Sequence, residues 1–246
     1  GVQTCALPIS FLNVIGDEAL LAAVTACWSS LWTARAISYR ERNRIPHEDV
    51  SLAVVVQRMI QSEASGVLFT ANPLTGLRTE TVIDATIGLG EALVGGKVEP
   101  DHYVVDRRTA AISARVIGAK ALSIRGAPGG GVAVINERGA PVQALPDEQI
   151  LALAELGDRV ADLFSSPQDI EWAWADASLY LLQARPVTSL YPVPVGMAAE
   201  PLRAMLSFGG MQGMLDPVTV LGRDLLSHIA AAIGRLFGMH LRPDSQ

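Results

Sequence analysis

The stretch that decides the fold is Pro167–Thr188, PQDIEWAWADASLYLLQARPVT. Its two runs of aromatic and branched apolar residues, parted by Asp176–Ala177–Ser178, read as a β-hairpin. In a strand, residues i and i+2 share a face. Asp169 and Glu171 therefore point one way, and Ile170 and Trp172 the other. Gln183 and Arg185 likewise share a face. A three-residue loop centred on Ala177 sets Glu171 opposite Gln183 and Asp169 opposite Arg185. A carboxylate oxygen beside an amide oxygen is a hard-oxygen pair suited to Mg²⁺. A neighbouring Arg offers a planar fork for phosphate oxygens. Two readings stay open on these residues alone: a patch for a metal-bound nucleotide, or a solvent-facing hairpin with a cross-strand ion pair.

Upstream, Pro146 opens a helix that runs to about Phe164, with Asp147 and Glu148 suiting its positive end. Before it, DHYVVDRRTAAISARVIG reads as a hairpin turning at Arg107–Thr109, and RGAPGGG as a flexible loop tip. GLGEALVGG is a glycine-bounded loop with a short helix, TETVIDAT a strand, and GVLFTANPLTG a strand running into a turn. SLAVVVQRMI, rich in β-branched residues, predicts a buried strand. From Asp17 to Arg42, apolar residues recur at Leu20, Val24, Cys27, Leu31 and Ala34. That is helical spacing with one buried stripe, N-capped by Asp17. The mixture of elements predicts an α+β fold.

Several familiar motifs fail. Leu93 stands where a third dinucleotide-binding glycine belongs, and Val98 replaces the Ser/Thr of a Walker loop. The four histidines, His47, His102, His228 and His240, are scattered and read as surface or satisfied core residues. A net charge of −6 and a pI near 5.2 exclude a basic nucleic-acid footprint. Apolar runs are too short to span a bilayer, so no membrane partner is expected. Two cysteines, Cys5 and Cys27, lack metal-ligand spacing and point to a reduced, cytoplasmic protein. GVQTCALPI, residues 1–9, has neither a charged n-region nor helical periodicity and is read as a non-native leader.

The hairpin resembles the segment that closes the ATP-grasp nucleotide-binding domain of the phosphoenolpyruvate-utilising phosphotransferases. Their members include phosphoenolpyruvate synthase, pyruvate phosphate dikinase and rifampin phosphotransferase. FLNVIGDEALLAAVTACWSSLWTARAISYR, AVVVQRMIQSEASGVLFTANPLTG and IDATIGLGEALVGGKVEPDHYVVDR follow the same family in order and spacing. The resemblance implies that Glu171 and Gln183 coordinate Mg²⁺, that Arg185 binds the transferring phosphates of ATP, and that Asp169 supports them. It implies that Gln57 reaches the adenine and that the backbone of Arg58 and Met59 forms the edge beside it. Ser10 stands where the family often has a threonine that contacts nucleotide. The family's phosphate-gripping lysine and arginine have no counterpart here, nor does its swivelling phosphohistidine domain. This chain alone is therefore not expected to turn over.

The organisation expected is a leader (1–9), an ATP-grasp domain incomplete at its N-terminus (10–190), a proline-punctuated linker (191–203) and the beginning of a helical substrate-binding domain (204–246). SFGGMQGMLDPVTVLG resembles the layout of rifampin phosphotransferase-like proteins. These move the β-phosphate of ATP through a histidine to a small-molecule acceptor, giving AMP and phosphate. A phosphoenolpyruvate synthase, or a non-catalytic nucleotide-binding module, are the alternatives.

Overall fold

The computed structural model describes residues 9–137 and 141–190, with 193 and 228. The expected leader, linker and second-domain start fall almost wholly outside the described residues. The chain divides into two compact units, 1–199 and 200–246, and the sheet with its helices lies in the first. Helices α1 (Asp17–Ser29) and α2 (Ala34–Asn43) come first, then strands β1 (Ala64–Phe69) and β2 (Glu80–Ile87), the one-turn helix α3 (Glu91–Val94), and strands β3 (Asp101–Asp106) and β4 (Ala111–Val116). Strands β5 (Leu122–Gly126) and β6 (Val132–Asn136), helix α4 (Asp147–Phe164), and strands β7 (Gln168–Ala175) and β8 (Ser178–Pro186) complete it.

Six strands form one antiparallel sheet in the order β4-β3-β2-β1-β7-β8, and β5–β6 form a separate ribbon. The fold is mixed α+β with a mainly antiparallel sheet. One sheet face is closed by α4, whose Ile150, Leu153, Ala154, Gly157 and Val160 recur at helical spacing and are buried. They meet Leu68, Ile83, Tyr103, Ile170 and Trp172 from alternate positions of the strands. Trp172 is fully buried, and Gly66 makes room for it. A Cβ at Gly66 would collide with the Asp84 carbonyl and lie 2.9 Å from the Trp172 ring. Asp101 and Lys120 form a buried ion pair on this side. Asp101 also accepts from the Gly118 and Ala144 amides, at 3.0 and 2.7 Å, and from Tyr103 Oη at 3.2 Å. Burial, and then the Asp101 charge, push the Tyr103 phenol well above its ordinary range.

The opposite face is left for a site. There, Gln183, Glu171, Val67, Asp84 and His102 stand in one line across β8, β7, β1, β2 and β3. The hairpin register agrees with expectation at Glu171–Gln183 and Asp169–Arg185, by an unexpected route. Its turn has two residues, Asp176 and Ala177, both at positive φ, as in a type I′ turn. A bulge then opposes Glu171 to Gln183 but Trp172 to Leu181, leaving Leu182 as the extra residue. The bulge restores the parity that the shorter turn removes.

Three other expectations are corrected. The helix over Asp17–Arg42 is broken: a 3-10 turn at Ser30–Trp32 and the extended Thr33 separate α1 from α2 by a 44° bend. Thr33 Oγ1 accepts from Ala36 N and restarts the helix. Asp17 sits in the first turn behind a Gly16 N-cap, and no α1 residue is fully buried. SLAVVVQRMI forms no strand; Val55 and Val56 are 83% and 63% exposed. Both edges of β1 are already paired, to β2 and β7, so the segment has no place in the ladder beside it. RGAPGGG is the tip of the β5–β6 ribbon and is tied down by Asn13. Among the described residues no single helix is long and apolar enough to cross a membrane; α1 with its following turn and α2 pass that test only as a bent pair.

Candidate functional site

The open sheet face borders a cleft of about 1380 Å³. That exceeds the ordinary range for small-molecule pockets. Glu171 and Gln183 line it from the hairpin, and Leu20, Val24 and Cys27 line it from α1. The stripe expected to be core is thus a half-buried cleft wall. Gln57, Arg58 and Met59 line it from the segment between α2 and β1.

Glu171 is half-buried and Gln183 exposed; neither side chain has a hydrogen-bond partner among the described residues. They are directly opposed across one ladder step, so a carboxylate and an amide oxygen are free to converge on one ligand. Asp169 and Arg185 form the next pair along the same face, outside the cleft lining. Arg185 donates from Nε to Asp169 Oδ2 at 2.8 Å, and its Nη2 lies 2.8 Å from the same oxygen in an ion pair. The Asp169 side chain is 12% exposed and that of Arg185 64%. The carboxylate is therefore the fixed partner, and it orients a guanidinium that keeps a face towards solvent.

The segment carrying Gln57 is anchored differently. Gln57 Nε2 donates to the carbonyl of Leu182, the bulge residue, at 3.4 Å. Met59 packs on the small apolar cluster of Leu89, Ala92 and Ile124. No backbone hydrogen bond among the described residues uses Arg58 or Met59. Unpaired N–H and C=O groups on a cleft wall require water or a ligand edge.

Asn13, Glu91 and Lys97 also line the cleft, without having been assigned a role from the sequence. Glu91 opens α3 and is exposed, as is Lys97 just beyond it. The signal for Lys97 is its rarity: the chain contains two lysines, and Lys120 is buried. Thr70 is structural, its Oγ1 accepting from Gln168 N at 2.8 Å. His102 pairs with Asp84 at 2.7 Å, and His47 lies between Glu41 and Arg40 at 3.0 and 2.8 Å, so both are satisfied as expected. No group of three or more His, Cys, Asp or Glu among the described residues could hold a metal by itself.

An open antiparallel face, a cleft against it and an opposed carboxylate–amide pair mark a candidate small-molecule site on this α+β domain. Comparison with known proteins specifies it. The family described as pyruvate phosphate dikinase, AMP/ATP-binding domain, matches residues 9–199. A rifampicin phosphotransferase of a Streptomyces species is 43% identical over 235 residues, covering 93% of this chain and 27% of that protein. The rifampicin phosphotransferase of Bacillus subtilis (strain 168) is 42% identical with the same coverage. A phosphoenolpyruvate synthase of Pyrococcus furiosus is 42% identical over 201 residues, covering 78% of this chain and 25% of that protein. The chain belongs to the pyruvate phosphate dikinase AMP/ATP-binding domain family, and it spans about a quarter of the length of these curated relatives.

Proposed function

We propose that the chain is the ATP-binding part of a dikinase-type phosphotransferase. In such a protein the β-phosphate of ATP passes through a histidine on a swivelling domain to a small-molecule acceptor, with release of AMP and phosphate. The observation that carries this reading is the free Glu171–Gln183 pair lining a cleft of about 1380 Å³, in a chain of an AMP/ATP-binding family.

The donor set fits Mg²⁺. This ion takes one or two protein oxygens and completes its shell with phosphates and water, so a two-oxygen protein site is sufficient. Glu171 and Gln183 would hold it, and when bound it would neutralise charge on the triphosphate. Arg185, held in place by Asp169, presents its free donors to the phosphates being transferred. Gln57 and the unpaired backbone of Arg58 and Met59 receive the adenine edge, and the apolar wall of α1 excludes water from that end. These groups supply positioning and electrostatics, which carry most of phosphoryl-transfer catalysis.

The same reading assigns residues 10–190 to an ATP-grasp domain, 191–203 to a linker and 204–246 to the start of a substrate-binding domain. The longer coverage of the rifampicin phosphotransferases, 93% against 78% of this chain, favours their layout over that of phosphoenolpyruvate synthase. A cytoplasmic location, with ATP and Mg²⁺ at hand, completes it. Calorimetry with Mg-ATP tests the core of the proposal. The unsubstituted chain is expected to bind and Glu171→Ala to lose the Mg²⁺-dependent heat. Identical heats for the two would favour an inert module.

A further inference from the structure

The segment Gln57–Ile60 lines the cleft without a β-ladder to fix it, so something else must hold it still. The structure assigns that task to Asn13. We propose that Asn13, acting through Gln61, is the positioning residue for the adenine edge at Gln57–Met59. The inference rests on the nucleotide reading of the cleft.

Asn13 is 7% exposed and uses its amide on three sides. Its Nδ2 donates to the carbonyls of Ala127 and Gly131, both at 2.8 Å. Its Oδ1 accepts from Gln61 Nε2 at 3.0 Å, and its backbone carbonyl accepts from Gly131 N at 2.9 Å. One side chain therefore ties the ribbon tip, the N-terminal segment and the residue two positions past Met59. Its φ of 53° lies in the left-handed region, where Asn is among the few residues at ease. The amide of Gln61 packs over Gly126, where a Cβ would press on Gln61 Oε1 and come within 3.1 Å of Asn13 Cγ. The next residue is anchored as well, Ser62 Oγ donating to Gly88 O at 2.8 Å. With Gln57 on the Leu182 carbonyl at the other end, the segment is suspended between side-chain ties. Loosening one end lets the edge drift from the base, whereas Glu171 and Gln183 keep their ladder register. Base recognition and phosphate recognition should then separate.

The test is calorimetry on the 246-residue chain with two probes, Mg-ATP and Mg-tripolyphosphate, which lacks the base. Asn13→Gly keeps the backbone conformation and removes the amide; Gln61→Ala, at an exposed residue, cuts only the tie to the edge and safeguards against misfolding of the first variant. Each is expected to weaken ATP about tenfold, or about 1.4 kcal/mol, while tripolyphosphate affinity stays within about twofold. A purely structural role would lower both affinities together, and that result, or no loss for ATP in the Gln61→Ala chain, overturns the inference. Failure of the unsubstituted chain to bind ATP would instead remove the nucleotide reading, and this inference with it.

Discussion

The β7–β8 hairpin and the segment Ser51–Ile60 face the same cleft but are held there by different forces. The hairpin is a ladder whose far side is bolted to α4 through Ile170 and the fully buried Trp172. Its cleft-side residues owe their positions to register alone. The segment has the more apolar and more β-branched sequence, yet it exposes Val55 and Val56 and pairs with no strand. Local propensity is thus a poor guide to which wall is rigid. Backbone pairing places one wall to within a ladder step, and a few side-chain hydrogen bonds place the other.

That contrast can be broken most forcefully from the core. Trp172→Ala should remove about 3–5 kcal/mol of stability by opening a cavity beneath the hairpin, read as a fall in the urea midpoint. A loss below about 1 kcal/mol would show that the hairpin does not depend on α4. Gln183→Leu removes the amide oxygen that stands opposite Glu171 and leaves the ladder register intact. Mg²⁺-dependent ATP affinity should fall at least about tenfold, with far-ultraviolet circular dichroism retained. Unchanged affinity would dissolve the proposed oxygen pair.

Smaller effects sharpen the other side. Gln57→Ala should weaken ATP severalfold through loss of one exposed hydrogen bond, about 0.5–1.5 kcal/mol, and leave the melting temperature unmoved. Val56→Ser should change stability by no more than about 0.5 kcal/mol, since an exposed side chain buries little; a large loss would mean the segment is core after all. The smallest effect concerns pH. Hydrogen bonds from the Gln143 amide and the Arg115 guanidinium hold the Asp147 carboxyl below its ordinary range. Because the folded value is depressed, its stabilisation is present above the unfolded value of about 3.9 and is lost as pH falls through the folded one. Asp147→Asn should flatten that acid limb slightly in melting curves taken between about pH 5 and pH 2.

Much of this was legible in the sequence wherever a period governed the outcome. Alternation in QDIEWAWA separated Glu171 from Trp172, and helical spacing marked α4, which runs Asp147–Phe164 behind Pro146 as its N-cap. The site register came out right although the turn is one residue shorter than expected, because two departures cancel; no local signal marks Leu182 as a bulge. SLAVVVQRMI misled because β-branched runs suit strands only when an edge is free to receive them, and that is a property of the whole sheet. Asn13 escaped notice because its three ties reach residues 48 to 118 positions away.

The buried Asp101–Lys120 pair carries a practical corollary. The chain's two lysine amines occupy opposite extremes, Lys97 bathed in solvent and Lys120 sealed beneath the sheet. An acylating reagent would therefore tag one ε-amine on each intact molecule and a second only after the domain opens. Mass spectrometry of tagged molecules would count unfolding events one at a time.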